Sequence, residues 1–524
     1  MEKKRSSTIY RMLSLALVLE LAAVFLNSGT VEGVSLRADK LKVYAEAERD
    51  DSTIDPGDIY DRKGKTIAKT YDQSDSETGE SQTKRVTVYS DGKIFSQLVG
   101  YTGRRNLNPL ADTAEEVVGE RTDYRLMAFL DEQVWGENGL YQTENVDGTK
   151  GQSAVLTIDS DLQEAVYEAL AKQMSDSQEI GSAVVMDAKT GEILSMVSFP
   201  TYDFSDLDSA KAQMQQDAEE TNLEPSFPVS YKNSKPPGSI FKVLIAVALI
   251  DHGMEDFTVE NTTFSVDQWI CYAAPYNSGT IKVELGDSIG LETALNISSN
   301  VYFARAALEL GADRIRETAE KFMLTENASS DSEEPTEDTT YLSLDFGNVE
   351  YYWDLDVSDD VLAQTGFGQG RTELTTVYAA MITQAIANGG TMMKPYVIKK
   401  LMDESEKTVY EGKEEVLSEA TAKDTAEKVA NAMASTASEC CILHSLYEEK
   451  EIFDRYQIAG KTGTAENGDE EMTNNAWYIS FAPAEDPQYV VVVNQCRTAK
   501  AGYRMMPAVA DIYEYLFEVY ETAD

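Results

Sequence analysis

The chain has 524 residues, of which 42% are apolar, enough for a large core and about two to four domains; a disordered protein is excluded. Its 45 Lys and Arg against 91 Asp and Glu give a formal charge of −46, which excludes a nucleic-acid or anionic-membrane binding surface and reads as solvated acidic surface. The two histidines, His252 and His444, and the four irregularly spaced cysteines, Cys271, Cys440, Cys441 and Cys496, form neither a zinc-ligand set nor a disulfide framework. No metal or cofactor is expected, and the adjacent pair Cys440 and Cys441 could close only with strain.

Residues 12–26 are apolar except for Ser14 and Glu20, and they follow Lys3, Lys4, Arg5 and Arg11, which places the N-terminus inside the cell. The run is short for a span of about 20 residues, so a cleaved signal peptide competes with an uncleaved anchor. Leu26 fits poorly upstream of a cleavage at Ser28 or Gly29, which favours the anchor. The expected layout is a cytoplasmic tail (1–11), a transmembrane anchor (12–34) and an extracytoplasmic remainder. Glu20 inside the anchor is costly unless a partner helix pairs it.

Breaks at Asp55-Pro56-Gly57 and Lys63-Gly64 and a polar stretch at 72–83 predict short strands and loops up to about residue 150. A second domain, 151–524, opens with a strand at 154–158 and a helix capped by Ser160 and running to Lys172. Residues 182–186 and 192–199 read as a hairpin around the turn 187–191, and 476–481 and 489–494 as another around 483–487. A closing helix is expected over 506–521. Strands at both ends with helices between predict an α/β domain whose sheet is assembled from distant segments. Residues 327–340, rich in Ser, Asp, Glu and Thr, read as a surface insertion.

Pro236-Pro237-Gly238 cannot continue a helix, whereas the residues from Ser239 to Ile250 are apolar on nearly every face, so a buried helix is expected to start at Ser239. Lys242 lies one turn along the same face, where a dry amine of depressed pKa can take a serine proton. Ser-x-x-Lys alone is weak, since Ser81 and Lys84 repeat it. Ser298-Ser299-Asn300 between two helical segments, and then Lys461-Thr462-Gly463-Thr464, complete an ordered set. Ser298 can relay a proton between Lys242 and a leaving amine, and Asn300 can bond either a substrate amide or Lys242. Lys461 offers positive charge to a substrate carboxylate, which Thr462 and Thr464 can bind, and Gly463 allows backbone approach on an edge strand. The backbone N–H groups of Ser239 and Thr464 would form an oxyanion hole. Lys-Thr-Gly also occurs at Lys189-Thr190-Gly191, where a turn and solvent exposure account for it.

These three elements resemble the signature of the penicillin-binding proteins, and more narrowly class B, the monofunctional transpeptidases with one N-terminal anchor. The stretches Gly57-Asp58-Ile59-Tyr60-Asp61-Arg62-Lys63-Gly64, Leu156-Thr157-Ile158-Asp159 and Gly366-Phe367-Gly368-Gln369-Gly370 extend the likeness over nearly the whole chain. Pro56 departs from the family's usual arginine. The resemblance implies a serine-transpeptidase fold, mainly an antiparallel sheet flanked by helices, with a non-catalytic pedestal over 35–150. It further implies D,D-transpeptidation of peptidoglycan stem peptides through a Ser239 acyl-enzyme, inhibition by β-lactams, and partnership with a SEDS-type glycan polymerase. A β-lactamase, a β-lactam sensor or an inactive scaffold would share the serine and lysine. The long segment before the catalytic domain, the absence of His-Glu-x-x-His and the full set of catalytic groups argue against them in turn.

Overall fold

The computed structural model describes residues 58–74, 83–99, 153–174, most of 179–216, 228–273, 277–278, 281–282, 288–325, 341–344, 347–439 apart from 404, 450–466 and 474–521. The expected anchor, the 327–340 insertion and Cys440 and Cys441 lie outside the described residues. Among the described residues no helix is long and apolar enough to cross a membrane.

The elements that frame the site are, in chain order, β1 (Ile59–Tyr60), β2 (Thr66–Ser74), β3 (Thr83–Tyr89), β4 (Ser153–Leu156), α1 (Ser160–Ala171), β5 (Ile180–Asp187), β6 (Ile193–Phe199) and α2 (Lys242–Asp251). There follow β7 (Phe264–Val266), β8 (Trp269–Cys271), α3 (Leu291–Asn296), α4 (Asn300–Lys321), α5 (Thr376–Ala387), β9 (Ile398–Met402) and β10 (Thr408–Glu411). The last are β11 (Ala459–Glu466), β12 (Asn474–Ala482), β13 (Tyr489–Thr498) and α7, preceded by α6 (Lys423–Glu439); α7 spans Met506–Tyr515.

β13 and β5 are buried at nearly every position, and apolar over 490–493 and 183–186, because both faces of their sheet are covered. Side chains alternate along a strand, so each strand feeds two cores. Ala183, Val185, Val491 and Val493 pack with Leu162, Val166 and Leu170 of α1 and Val509 and Ile512 of α7. Val184, Met186, Val490 and Val492 belong to the opposite core, with α2 and with Val377 and Met381 of α5. The sheet runs β11-β12-β13-β5-β6, antiparallel throughout, with Lys461 opposite Ile479 and Val185 opposite Val491. The two predicted hairpins are thus neighbours, and β11 is the free edge. The fold is an antiparallel sheet between layers of helix, as the α/β reading required.

A second sheet, ordered β10-β9-β4-β1-β2-β3, joins strands from both sides of residue 150. β1 lies parallel to β4, with Ile59 opposite Ala154. Asp61 fastens this junction: Oδ1 accepts from the Lys63 and Lys65 N–H groups at 2.9 and 2.7 Å, and Oδ2 from Ser160 N–H at 3.2 Å. Arg62 pairs with Glu192 at 3.3 Å, and Lys63 Nζ stands 3.0 Å from Asp159 Oδ2.

Two local expectations are corrected. The cap of α1 is Asp159, whose Oδ1 accepts from the N–H groups of Asp161 and Leu162 at 3.0 and 3.1 Å, while Ser160 is already the first helical residue. A carboxylate there satisfies two orphan donors and meets the positive end of the helix dipole. The helix expected from Ser239 begins as a tighter 3-10 turn, Gly238–Phe241, and becomes α-helical only at Lys242. Gly238 sits at φ +56°, where the chain cannot enter an α-helix directly. From Val243 to Leu249 the residues of α2 are buried all round, so this helix is core on every side.

Candidate active site

The three sequence elements meet where the 3-10 turn, the α3–α4 junction and the edge strand β11 converge. Lys242 is fully buried. Its Nζ donates to Ser298 O at 2.7 Å, Ser298 Oγ at 3.1 Å and Asn300 Oδ1 at 2.7 Å, and it stands 5.6 Å from the centre of the Phe303 ring. Of the two partners open to Asn300 from sequence, the structure places Lys242 on it. Lys461, on β11, is also buried; its Nζ donates to Ser298 Oγ at 3.0 Å and to Thr462 O at 3.0 Å. One hydroxyl therefore bridges two lysines.

Ser298 reaches both because it is the residue between α3 and α4 and adopts φ +54°, the left-handed region. Its carbonyl and hydroxyl then both face Lys242. Ser299, the residue the motif leaves variable, caps α4 by accepting from Tyr302 N–H at 3.2 Å. Asn300 is thus the first residue of a helix whose start is fixed.

Burial pushes the Lys242 pKa well below its ordinary 10.5, and the positive charge of Lys461 pushes it the same way. Three neutral acceptors favour the ammonium, but desolvation of the fully buried amine outweighs them. Among the described residues no hydrogen bond joins the Ser239 hydroxyl to Lys242, so the expected direct pair is not formed. Catalytic contacts of this kind tighten on substrate binding.

Close glycine contacts hold the turn that carries Ser239, and of these only the one at Gly463 is expected from sequence. Gly238 donates its N–H to Gly368 O at 2.9 Å, and a Cβ on Gly368 would come within 2.0 Å of Gly238 O. A Cβ on Gly463 would meet Pro237 O at 2.7 Å, and one on Gly502 would meet Gly463 O at 2.1 Å. Trp477 Nε1 donates to Pro236 O at 3.0 Å, and Gly502 N–H donates to Thr464 Oγ1 at 3.0 Å. Backbone contacts of this closeness require glycine; the approach expected at Gly463 is one of them, and the others join residues far apart in sequence.

The second Lys-Thr-Gly is elsewhere. Lys189 lies in the β5–β6 turn, half exposed, and pairs with Asp486 at 3.4 Å, while Gly191 takes φ +79°. A cavity of about 980 Å³ lined by Lys189, Asp251, Thr421 and Lys423 contains none of the expected site residues, so its size is no guide to the chemistry. Of the other Ser-x-x-Lys pair, Lys84 lies in β3 and Ser81 is outside the described residues. Cys271 and Cys496 are buried free thiols, which burial pushes up to about 11 and about 12 respectively. Among the described residues no His, Cys, Asp and Glu cluster could hold a metal.

The chain is similar to several known proteins. The family model described as the penicillin binding protein transpeptidase domain matches residues 181–514. The peptidoglycan D,D-transpeptidase PbpA of Mycolicibacterium smegmatis is 26% identical over 79% of this chain and 79% of its own. Stage V sporulation protein D of Bacillus subtilis is 26% identical over 77% of this chain and 59% of its own. Among solved structures, PBPA from Mycobacterium tuberculosis superposes with a TM-score of 0.67 at 22% identity, covering 88% of this chain and all of that one. The fold is that of the serine transpeptidases. Within that class the chain belongs to the penicillin-binding protein transpeptidase family, on its class B branch.

Proposed function

We propose that this chain is a peptidoglycan D,D-transpeptidase that works through an acyl-enzyme on Ser239. The observation that carries the mechanism is the Ser298 hydroxyl, 3.1 Å from Lys242 Nζ and 3.0 Å from Lys461 Nζ. Neutral Lys242 removes the Ser239 proton as Oγ attacks the carbonyl of the penultimate D-alanine. Ser298 relays that proton to the amine of the departing terminal D-alanine as the peptide bond breaks. The acceptor strand's amine then attacks the ester, its proton returns along the same path, and Ser239 is released.

Lys461, kept charged, draws the donor's terminal carboxylate to the hydroxyls of Thr462 and Thr464, and Gly463 lets the 3-10 turn approach β11. Asn300 holds Lys242. The carbonyl of Thr464 faces Gly238, at 2.8 Å from where a Cβ would sit. In an extended strand the N–H of a residue faces the same side as its carbonyl, which supports Thr464 and Ser239 as the oxyanion donors. Acylation by β-lactams follows from the same geometry, and the M. tuberculosis neighbour has been solved as a penicillin G acyl-enzyme complex.

The basic residues before position 12 and the apolar run after it support a single anchor at 12–34, with a pedestal at 35–150 and the catalytic domain outside the cytoplasm. A SEDS-type glycan polymerase is the proposed membrane partner, and Glu20 is a group such a partner helix could pair. Mass spectrometry of the full chain with penicillin and with a peptide ending in D-Ala-D-Ala tests the reading. A covalent adduct on Ser239, absent in Ser239→Ala, is expected; an adduct on another serine sinks it.

A further inference from the structure

Arg305 stands apart in a chain with twice as many acidic as basic residues. It lies on α4, five residues beyond Asn300, partly buried, and its guanidinium carbon is 4.5 Å from the centre of the Phe264 ring. Among the described residues it makes no ion pair and no hydrogen bond, and its Nε is buried without a partner. Leaving a guanidinium without a carboxylate where carboxylates abound is costly, because partly desolvated donors go unmet.

The place of this side chain relates it to the reaction. Phe264 belongs to the β7–β8 hairpin, whose Trp269 packs edge-on to Phe264 at 6.3 Å and stacks on Phe367 at 5.9 Å. Phe367 precedes Gly368, the residue that accepts from Gly238 beside the nucleophile. The same hairpin ends in Cys271, which feels the charges of both Lys242 and Arg305. Ile270 and Tyr272 stand exposed on it, at 43% and 71%. One unpaired cation therefore stands against the β7–β8 hairpin and two exposed apolar side chains on and just after it, and packing through Trp269 and Phe367 ties this hairpin to the Gly368 contact that holds Gly238, apart from Lys461 and β11.

We propose that Arg305 is a substrate-binding residue that recognises a side-chain carboxylate of the donor stem peptide, upstream of its terminal D-Ala-D-Ala. The assignment rests on the transpeptidase reading. It gives the groove two anion contacts: Lys461 with Thr462 and Thr464 for the terminal carboxylate, and Arg305 for one further along the peptide. The planar guanidinium, held against Phe264, presents its remaining N–H groups to a carboxylate, which a lysine would do less well. Tyr272 and Ile270 supply the adjoining apolar surface.

The test uses the full-length protein, penicillin G, and synthetic pentapeptides ending in D-Ala-D-Ala with side-chain carboxyls either free or amidated. The parent is expected to favour the free-acid donor in kcat/KM by about tenfold or more, the usual worth of a charge-assisted hydrogen bond. Arg305→Gln is expected to remove that preference, mainly through KM, while penicillin G acylation stays within about twofold. Arg305→Lys is expected to keep part of the preference, and it decides the matter if the glutamine variant does not fold. An unchanged preference in the variants, or no preference in the parent, overturns the assignment. So does a parallel loss of penicillin acylation, which would mark Arg305 as a support for the lysine instead. Failure of the parent to be acylated by penicillin at all would instead sink the transpeptidase reading.

Discussion

Two ammonium groups on one hydroxyl oxygen repel each other, so Lys242 and Lys461 cannot both be charged without strain. Lys242 is the one proposed to give up its proton, since burial and the charge of Lys461 both push its pKa well below 10.5, whereas a charge on Lys461 would serve a substrate carboxylate. Lys242→Arg is therefore expected to abolish penicillin acylation, because guanidinium keeps its proton at working pH. Lys461→Arg is expected to retain a measurable part of it, and equal losses in stopped-flow acylation would show the roles misassigned. The pH profile follows from the same shift. The acylation rate should rise with pH through a midpoint below 10.5, and Lys461→Ala should move that midpoint upward by removing the second cause of the shift. A midpoint that stays put in that variant contradicts the coupling. The sign for stability is the same: between the folded pKa of Lys242 and 10.5 the unfolded chain holds a proton that the folded chain lacks. This group alone makes folding more favourable as pH rises through that window, and its penalty is complete below the folded pKa.

Elements carry the site by packing backbone against backbone. Gly368 sits at φ +75° with Gly238 O only 2.0 Å from where a Cβ would stand, so Gly368→Ala must push the nucleophile turn away from β11. Acylation should fall at least a hundredfold, with stability lowered by about 1–3 kcal/mol, as strained glycine positions commonly show. Full activity in that variant would mean the turn is not held from this side. The two Lys-Thr-Gly copies separate at the same scale: Lys189→Ala should leave acylation within about threefold, since an exposed pair contributes little. Lys461→Ala should slow it by about a hundredfold or more, roughly 3 kcal/mol in the barrier. The hairpins, the edge-strand position of Gly463 and the convergence of Lys242, Ser298 and Lys461 were legible because alternation, helix breakers and motif order can be read along the chain. The 3-10 turn Gly238–Phe241, the Asp159 cap and the bridging geometry of Ser298 were not. They depend on backbone angles at Gly238 and Ser298 and on contacts between residues far apart in sequence, which no periodicity encodes. Arg305 gave no signal at all, as a lone arginine on a helix does not show what it lacks.

At the scale of the molecule, the sheet β10-β9-β4-β1-β2-β3 ties residues 58–89 to the opening of the catalytic domain. β1 fills the edge of β4, Ile59, Ile67, Phe95 and Leu98 belong to the same core as α2, and Asp61, held by its own turn through the Lys63 and Lys65 N–H groups, accepts the Ser160 N–H across the junction. A fragment cut at residue 151 would bare the edge of β4, expose apolar core and leave Arg62's partner Glu192 and Lys63's partner Asp159 unpaired. An uncovered edge beside exposed apolar surface is a template for aggregation. A soluble protein of residues 54–524 is therefore expected to fold cooperatively and take penicillin on Ser239. Residues 151–524 alone should aggregate or melt well below it and acylate poorly. Differential scanning calorimetry with penicillin labelling of the two fragments decides the point. Equal melting and labelling would mean that the N-terminal strands merely lie against an independent catalytic domain, and that the boundary near residue 150 is an energetic one as well as a change of texture.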